Sequence, residues 1–191
     1  MITAEKIKET FPKLKTLPKF ERQLEFASMI TEYMKNKNIH PIIVGGLAVE
    51  IYTRNDYQTH DIDFVSDGWA QFDQLLSELD FIRVEREWYN TELEIAIEVP
   101  SNFLEGNEDL VTELELPNNK KLYVIGVEDI IIHRLEAIAF STTYPKEDED
   151  YEWAYRMYLI HKENIDYNYF ESQAKAVKIW SIIEEWLEKE Q

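Results

Sequence analysis

The hydrophobic period of this 191-residue chain changes near Gly126, and that change limits the fold more than any single motif does. Between residues 41 and 125, strand-like runs and alternations of apolar residues cluster. In "LEIAIEV" (93–99), Leu93, Ile95, Ile97 and Val99 point one way and Glu94, Ala96 and Glu98 the other, the period of two that a half-buried strand requires. After Gly126 the spacing is near 3.6. Val127, Ile131, Leu135 and Ile138 make one helical stripe; Tyr151, Ala154, Tyr155, Tyr158 and Leu159 make a second; Ala176, Trp180, Ile183 and Leu187 make a third. The expectation is an α+β protein: a mixed sheet flanked by helices over residues 1–125, then a helical lobe over 126–191 packed against it.

Within the first part, Pro18 suits a first helical turn, and Phe20, Leu24, Ala27 and Met34 predict a helix over 18–36. "PIIV" (41–44) reads as a buried strand, Gly45 and Gly46 as a turn, and 47–53 as a short helix. "DIDFV" (61–65) is a second strand, 69–79 a helix and "FIRVER" (81–86) a third strand. Residues 110–125 read as a hairpin around "PNN", since Asn tolerates positive φ.

Composition narrows the chemistry. With 45% hydrophobic and 13% aromatic residues the chain can offset its ordering entropy and is globular. It has no cysteine, so any metal must be held by oxygen or imidazole. No segment approaches the roughly 20 apolar residues of a membrane span, and the N-terminus lacks the apolar core of a signal peptide, so a cytoplasmic protein is expected. A formal charge of −18 opposes non-specific binding to nucleic acid and favours a small or cationic partner. The one local basic stretch holds Lys6, Lys8, Lys13, Lys15 and Lys19, and a solvated helix face is its simpler reading.

The chemistry-bearing residues cluster between 44 and 98. Residues two apart on a strand share a face, so Asp61 and Asp63 present both carboxylates together while Ile62 and Phe64 face the core. Two such anions repel unless a cation lies between them, and Mg²⁺, with one or two carboxylates plus substrate phosphates, suits the pair. Gly45 and Gly46, without a Cβ, let backbone N–H groups approach a phosphate at the start of a helix. Alone, "GG" and "DID" are common; in the order strand, glycines, helix, aspartates on a strand, they are informative together.

That order, with Thr59 two residues ahead of the first aspartate, resembles the nucleotidyltransferase superfamily, with the polymerase-β-like head domain of CCA-adding enzymes and abortive-infection-type nucleotidyltransferase toxins. The resemblance covers residues 41–99 and extends more loosely through "VEDIIIHRLEA". It implies that Asp61 and Asp63 hold catalytic Mg²⁺, that a third carboxylate on a later strand acts as base or metal ligand, and that Gly45 and Gly46 hold the triphosphate with Thr59 nearby. Glu98 fits the third position best and Glu94 second. Arg134 either neutralises phosphate or forms a salt bridge with Glu128 or Asp129. The implied activity is transfer of a nucleoside monophosphate from an NTP to an acceptor hydroxyl, on RNA such as tRNA or on a small molecule such as an antibiotic. The alternative is a non-catalytic relative that binds a nucleotide or a protein partner, such as a cognate antitoxin. His60 reads as a surface neighbour of the aspartates, and the acidic run 146–152 as a helix start.

Overall fold

The computed structural model describes residues 2–117, 119–139 and 148–189 of the chain. They form two compact units, one of residues 1–48 and 58–125, the other of 49–57 and 126–191. Asn118 of the expected hairpin, and Lys146 and Glu147 of the acidic run, lie outside the described residues.

The first unit opens with short helices α1 (Ala4–Lys8) and α2 (Phe11–Leu14) and the longer α3 (Lys19–Lys35). The expected stripe on α3 is offset: Ala27 and Met34 are buried, but Phe26 and Ile30 share the core with them, while Phe20 and Leu24 are only half-buried. Phe26 stacks on Phe81 at 5.4 Å between ring centroids and meets Phe11 edge-on at 6.2 Å, which ties the N-terminal helices to the sheet lobe.

Seven strands make one mixed sheet: β1 (Ile42–Val44), β2 (Asp61–Val65), β3 (Ile82–Val84), β4 (Glu87–Asn90), β5 (Ile95–Ser101), β6 (Thr112–Glu115) and β7 (Lys121–Val124), in the order β3-β4-β5-β2-β1-β7-β6. β2 is central, antiparallel to β1 and parallel to β5. Between β1 and β2 runs α4 (Gly45–Tyr52); α5 (Trp69–Glu78) follows β2. One sheet face is the core. Trp88 pairs with Ile97 and Ile97 with Ile62, and α5 supplies Phe72, 5.3 Å from Phe64. Trp88 and Ile97 are fully buried, and the Trp88 indole N–H donates to Asp73 on α5. Across the β6–β7 hairpin Lys121 donates to Glu113 at 2.6 Å, and that bond raises the lysine pKa above its ordinary value.

Two strand assignments shift. The expected strand 81–86 is β3 alone; β4 follows after a tight turn in which Glu85 takes φ +55°, where Gly or Asn would have signalled a hairpin. The expected strand 93–99 is 95–101. Glu94 is off it, in a turn with φ +52°, while Leu93 N–H donates to Asn90 and Pro100 sits inside the strand instead of ending it.

The second unit contains α6 (Val127–Ala139), α7 (Glu149–His161), α8 (Tyr167–Ala176) and α9 (Trp180–Lys189). Ile131, Leu135 and Ile138 are buried as their spacing predicts, with Ile130 and Ile132 joining them. On α7 Leu159 is exposed and Met157 is buried in its stead. Of the last stripe Ile183 is buried as its spacing predicts, but Ala174, Ile179 and Trp186 take the places of Ala176, Trp180 and Leu187, because α8 ends at Ala176 and Lys178 turns left-handed at φ +65°, restarting the helical phase. Trp186 lies among Tyr151, Tyr155 and Tyr158, with ring centroids 5.1 to 5.7 Å away, and donates to the Tyr151 hydroxyl at 2.9 Å. Asp148 caps α7, so the described part of the acidic run is a helix start.

Candidate active site

Strand alternation puts Asp61 and Asp63, both half-buried, on the sheet face opposite Ile62 and Phe64. Register then aligns two rows of side chains across β4, β5 and β2. One row is Tyr89, Ala96 and Asp61; the other is Glu87, Glu98 and Asp63. Glu98 therefore stands beside Asp63 on the adjacent strand, also half-buried. Glu94 does not join this face: its side chain is 71% exposed and pairs with Arg22 at 3.4 Å. Glu87 had no signal in the sequence, because the strand that carries it was not legible.

The glycines stand directly against the acidic strand. The helix α4 begins at Gly45 itself, two residues earlier than expected, and Gly45 takes φ +59°. A Cβ there would overlap the Asp63 carboxylate, 2.9 Å from its Cγ. A Cβ on Gly46 would lie 2.7 Å from Thr59 Cβ and overlap its hydroxyl. Thr59, itself buried, donates that hydroxyl to Asp61. The motif is thus a double close approach: Gly45 admits Asp63, and Gly46 admits the threonine that orients Asp61.

Asp61 and Asp63 are the kind of oxygen donors that a hard divalent cation takes, and they lie on one face of β2. Among the described residues, no three His, Cys, Asp or Glu side chains are grouped so as to hold a metal ion, so Glu98 is adjacent to the pair without forming a three-ligand set with it.

Arg134 lies on α6 in the second unit. It donates to Asp150 at 2.6 Å, with its guanidinium 5.6 Å from the Tyr57 ring centroid. Its ion-pair partner is neither Glu128 nor Asp129: Glu128 accepts from the Asp166 N–H at 2.9 Å and Asp129 from the Tyr169 hydroxyl at 2.5 Å. His60 is exposed, and its Nδ1 meets Lys19 Nζ at 2.8 Å. Lys8 and Lys15, from the N-terminal basic stretch, pair with Asp80 and Glu92.

The mixed seven-stranded sheet with its helices is an α+β fold of the nucleotidyltransferase type. A nucleotidyltransferase-like antigenic protein from Paracoccidioides brasiliensis has a similar fold, with a TM-score of 0.53 at 18% identity over 70% of this chain and 74% of that one. The antibiotic-resistance factor ANT(2'')-Ia aligns over 82% of this chain and 94% of its own with a TM-score of 0.46 at 13% identity. The chain belongs to the family described as "Nucleotidyltransferase of unknown function (DUF6036)", whose model matches residues 19–188. No curated protein matches in sequence. Among the described residues no helix is long and apolar enough to cross a membrane.

Proposed function

We propose that this protein transfers a nucleoside monophosphate from an NTP to an acceptor hydroxyl with release of pyrophosphate. The observation that carries this reading is the close approach of Gly45 to Asp63, which sets the first residue of α4 against the acidic strand. Asp61 and Asp63 would hold Mg²⁺, which when bound neutralises charge developing on the phosphates. The chain's own residues do the positioning. Gly45 and Gly46 present backbone N–H groups to the triphosphate, while Thr59 fixes the Asp61 carboxylate. Glu98, beside Asp63, accepts the proton of the attacking hydroxyl or shares the cation. The acceptor is RNA, such as tRNA, or a small molecule such as an antibiotic.

The test is incubation with each labelled NTP and Mg²⁺ together with total cellular RNA or an antibiotic panel. Label transfer that Asp61→Ala abolishes is expected; an absence of any Mg²⁺-dependent NTP response would overturn the reading. The second reading, nucleotide or protein-partner binding without turnover, is favoured by one observation: the third carboxylate is not grouped with the other two. Saturable NTP binding without transfer to any acceptor would select it.

A further inference from the structure

A cleft of about 470 Å³ opens on the carboxylate-bearing face of the sheet, at the β4–β5 side of Asp61. Its floor is Ala96 and Tyr89, the two residues in register with Asp61 across β5 and β4. Its wall is the first turn of α3, held on the start of β2 by Gln23, whose side chain donates to the Asp61 carbonyl at 3.4 Å. That turn brings Lys19 and Arg22 into the cleft, and His60, in contact with Lys19, lines it as well. No side chain caps the helix here, because the N-cap is Pro18, so the positive end of a 17-residue helix adds to the same region.

Arg22 is the informative residue. It is only 9% exposed, and its Nε–H is buried with no hydrogen-bond partner. A guanidinium is not buried half-satisfied without cost, since an orphaned charged donor forfeits more than a bond contributes. Its one ion pair, through a terminal nitrogen, is a long 3.4 Å contact to Glu94, an exposed residue in a left-handed turn. A carboxylate held that loosely is displaceable by a better anion. Lysine can only donate, so the Lys19 contact makes His60 Nδ1 an acceptor and leaves Nε2–H as a further donor. The second cleft carboxylate, Glu87, belongs to the row of Glu98 and Asp63.

We propose that this cleft binds a phosphate group carried by the acceptor, gripped by Arg22 and Lys19 with His60, so that the acceptor hydroxyl is presented to the Asp61–Asp63 face. The inference rests on the nucleotidyl-transfer reading of that face and identifies its acceptor as phosphorylated, against the preference for a cationic partner that net charge suggested. Several donors from separate elements suit a tetrahedral oxyanion with many acceptor oxygens better than a single planar carboxylate. The phosphate belongs either to a small phosphomonoester or to an RNA strand.

The experiment titrates the full chain with ribose 5-phosphate, and separately with a short single-stranded RNA, without NTP or Mg²⁺, following the Arg22 Nε–H and the Lys19 and Tyr89 backbone amides by NMR. Saturable shifts at all three are expected. Lys19→Gln should weaken binding about tenfold, the worth of one charge-assisted hydrogen bond. Arg22→Lys should weaken it at least as much, and Glu94→Gln, by removing the competing carboxylate, should tighten it about threefold. Saturation by ribose 5-phosphate assigns a small phosphomonoester; saturation by RNA alone assigns a nucleic-acid strand. No saturable shift with either ligand, or affinities indifferent to both Lys19→Gln and Glu94→Gln, overturns the proposal. Assaying NTP-dependent transfer on the same unsubstituted chain separates the two readings: phosphate binding in a parent chain that shows no transfer with any NTP counts against nucleotidyl transfer, not against the cleft.

Discussion

The carboxylate of Asp63 occupies the space that a Cβ on residue 45 would need, so Gly45 and Asp63 are sterically one unit although they lie on different elements. Gly45→Ala meets two obstacles, a left-handed φ of +59° and that overlap. The left-handed conformation alone costs roughly 1–2 kcal/mol for a residue with a Cβ. Denaturant titration should show at least that loss, with NTP-dependent activity lost as well. An unchanged unfolding midpoint would show that the loop relaxes freely.

Thr59 is the link between the second glycine and the first aspartate. Thr59→Val keeps the shape and removes the hydroxyl donated to Asp61, at a cost of about 1 kcal/mol in stability. Activity should fall further than stability, about tenfold, because Asp61 loses its orienting partner. Thr59→Ser should restore most of it. Equal activity in the Val and Ser variants would remove Thr59 from the site.

Asp61→Asn replaces one of two neighbouring like charges and leaves an oxygen for the Thr59 hydroxyl. Stability should stay within about 1 kcal/mol of the parent. Transfer should drop on the order of a hundredfold or more, the usual loss when a preorganised charge is removed. Thermal unfolding with and without Mg²⁺ gives the second readout: the parent should be stabilised by the ion and the variant not.

Glu98→Gln separates the three acidic candidates. A loss of turnover of about a hundredfold with unchanged NTP affinity is expected, within the range for a general base. Glu94→Gln, exposed in its turn, should leave NTP affinity unchanged. A Glu98→Gln variant with full turnover would remove Glu98 from the chemistry and leave it to Asp61 and Asp63.

In the second unit Trp186 is fully buried inside three tyrosines. Trp186→Ala should cost about 3–5 kcal/mol. Trp186→Phe should cost less, since it keeps ring packing and gives up the bond to the Tyr151 hydroxyl. Chemical denaturation followed by circular dichroism orders the two variants, and equal costs would contradict the packing account.

Much of the site was legible because its rules are local. Asp61 and Asp63 share a face by strand alternation alone, and Gly45-Gly46 before a helical pattern marks a turn whatever surrounds it. The α+β class followed from one change of hydrophobic period. Strand β4 was not legible: its turn uses Glu85 and its short run alternates charged and aromatic residues, so neither the Gly/Asn signature nor an apolar run announces it. For the same reason Glu94 read as a strand residue although it is the left-handed corner before β5.

Pattern and spacing by themselves determined which residues face together along a single element, because that depends only on backbone periodicity. Pairing between elements was decided by the tertiary structure. The parallel register that sets Glu98 beside Asp63, the approach of Gly45 to Asp63 and the docking of α3 that buries Arg22 beside Ala96 and Tyr89 each join residues distant in sequence. Such contacts are chosen by packing of the whole core, in which shifting one strand by a single residue would turn its carboxylates inward.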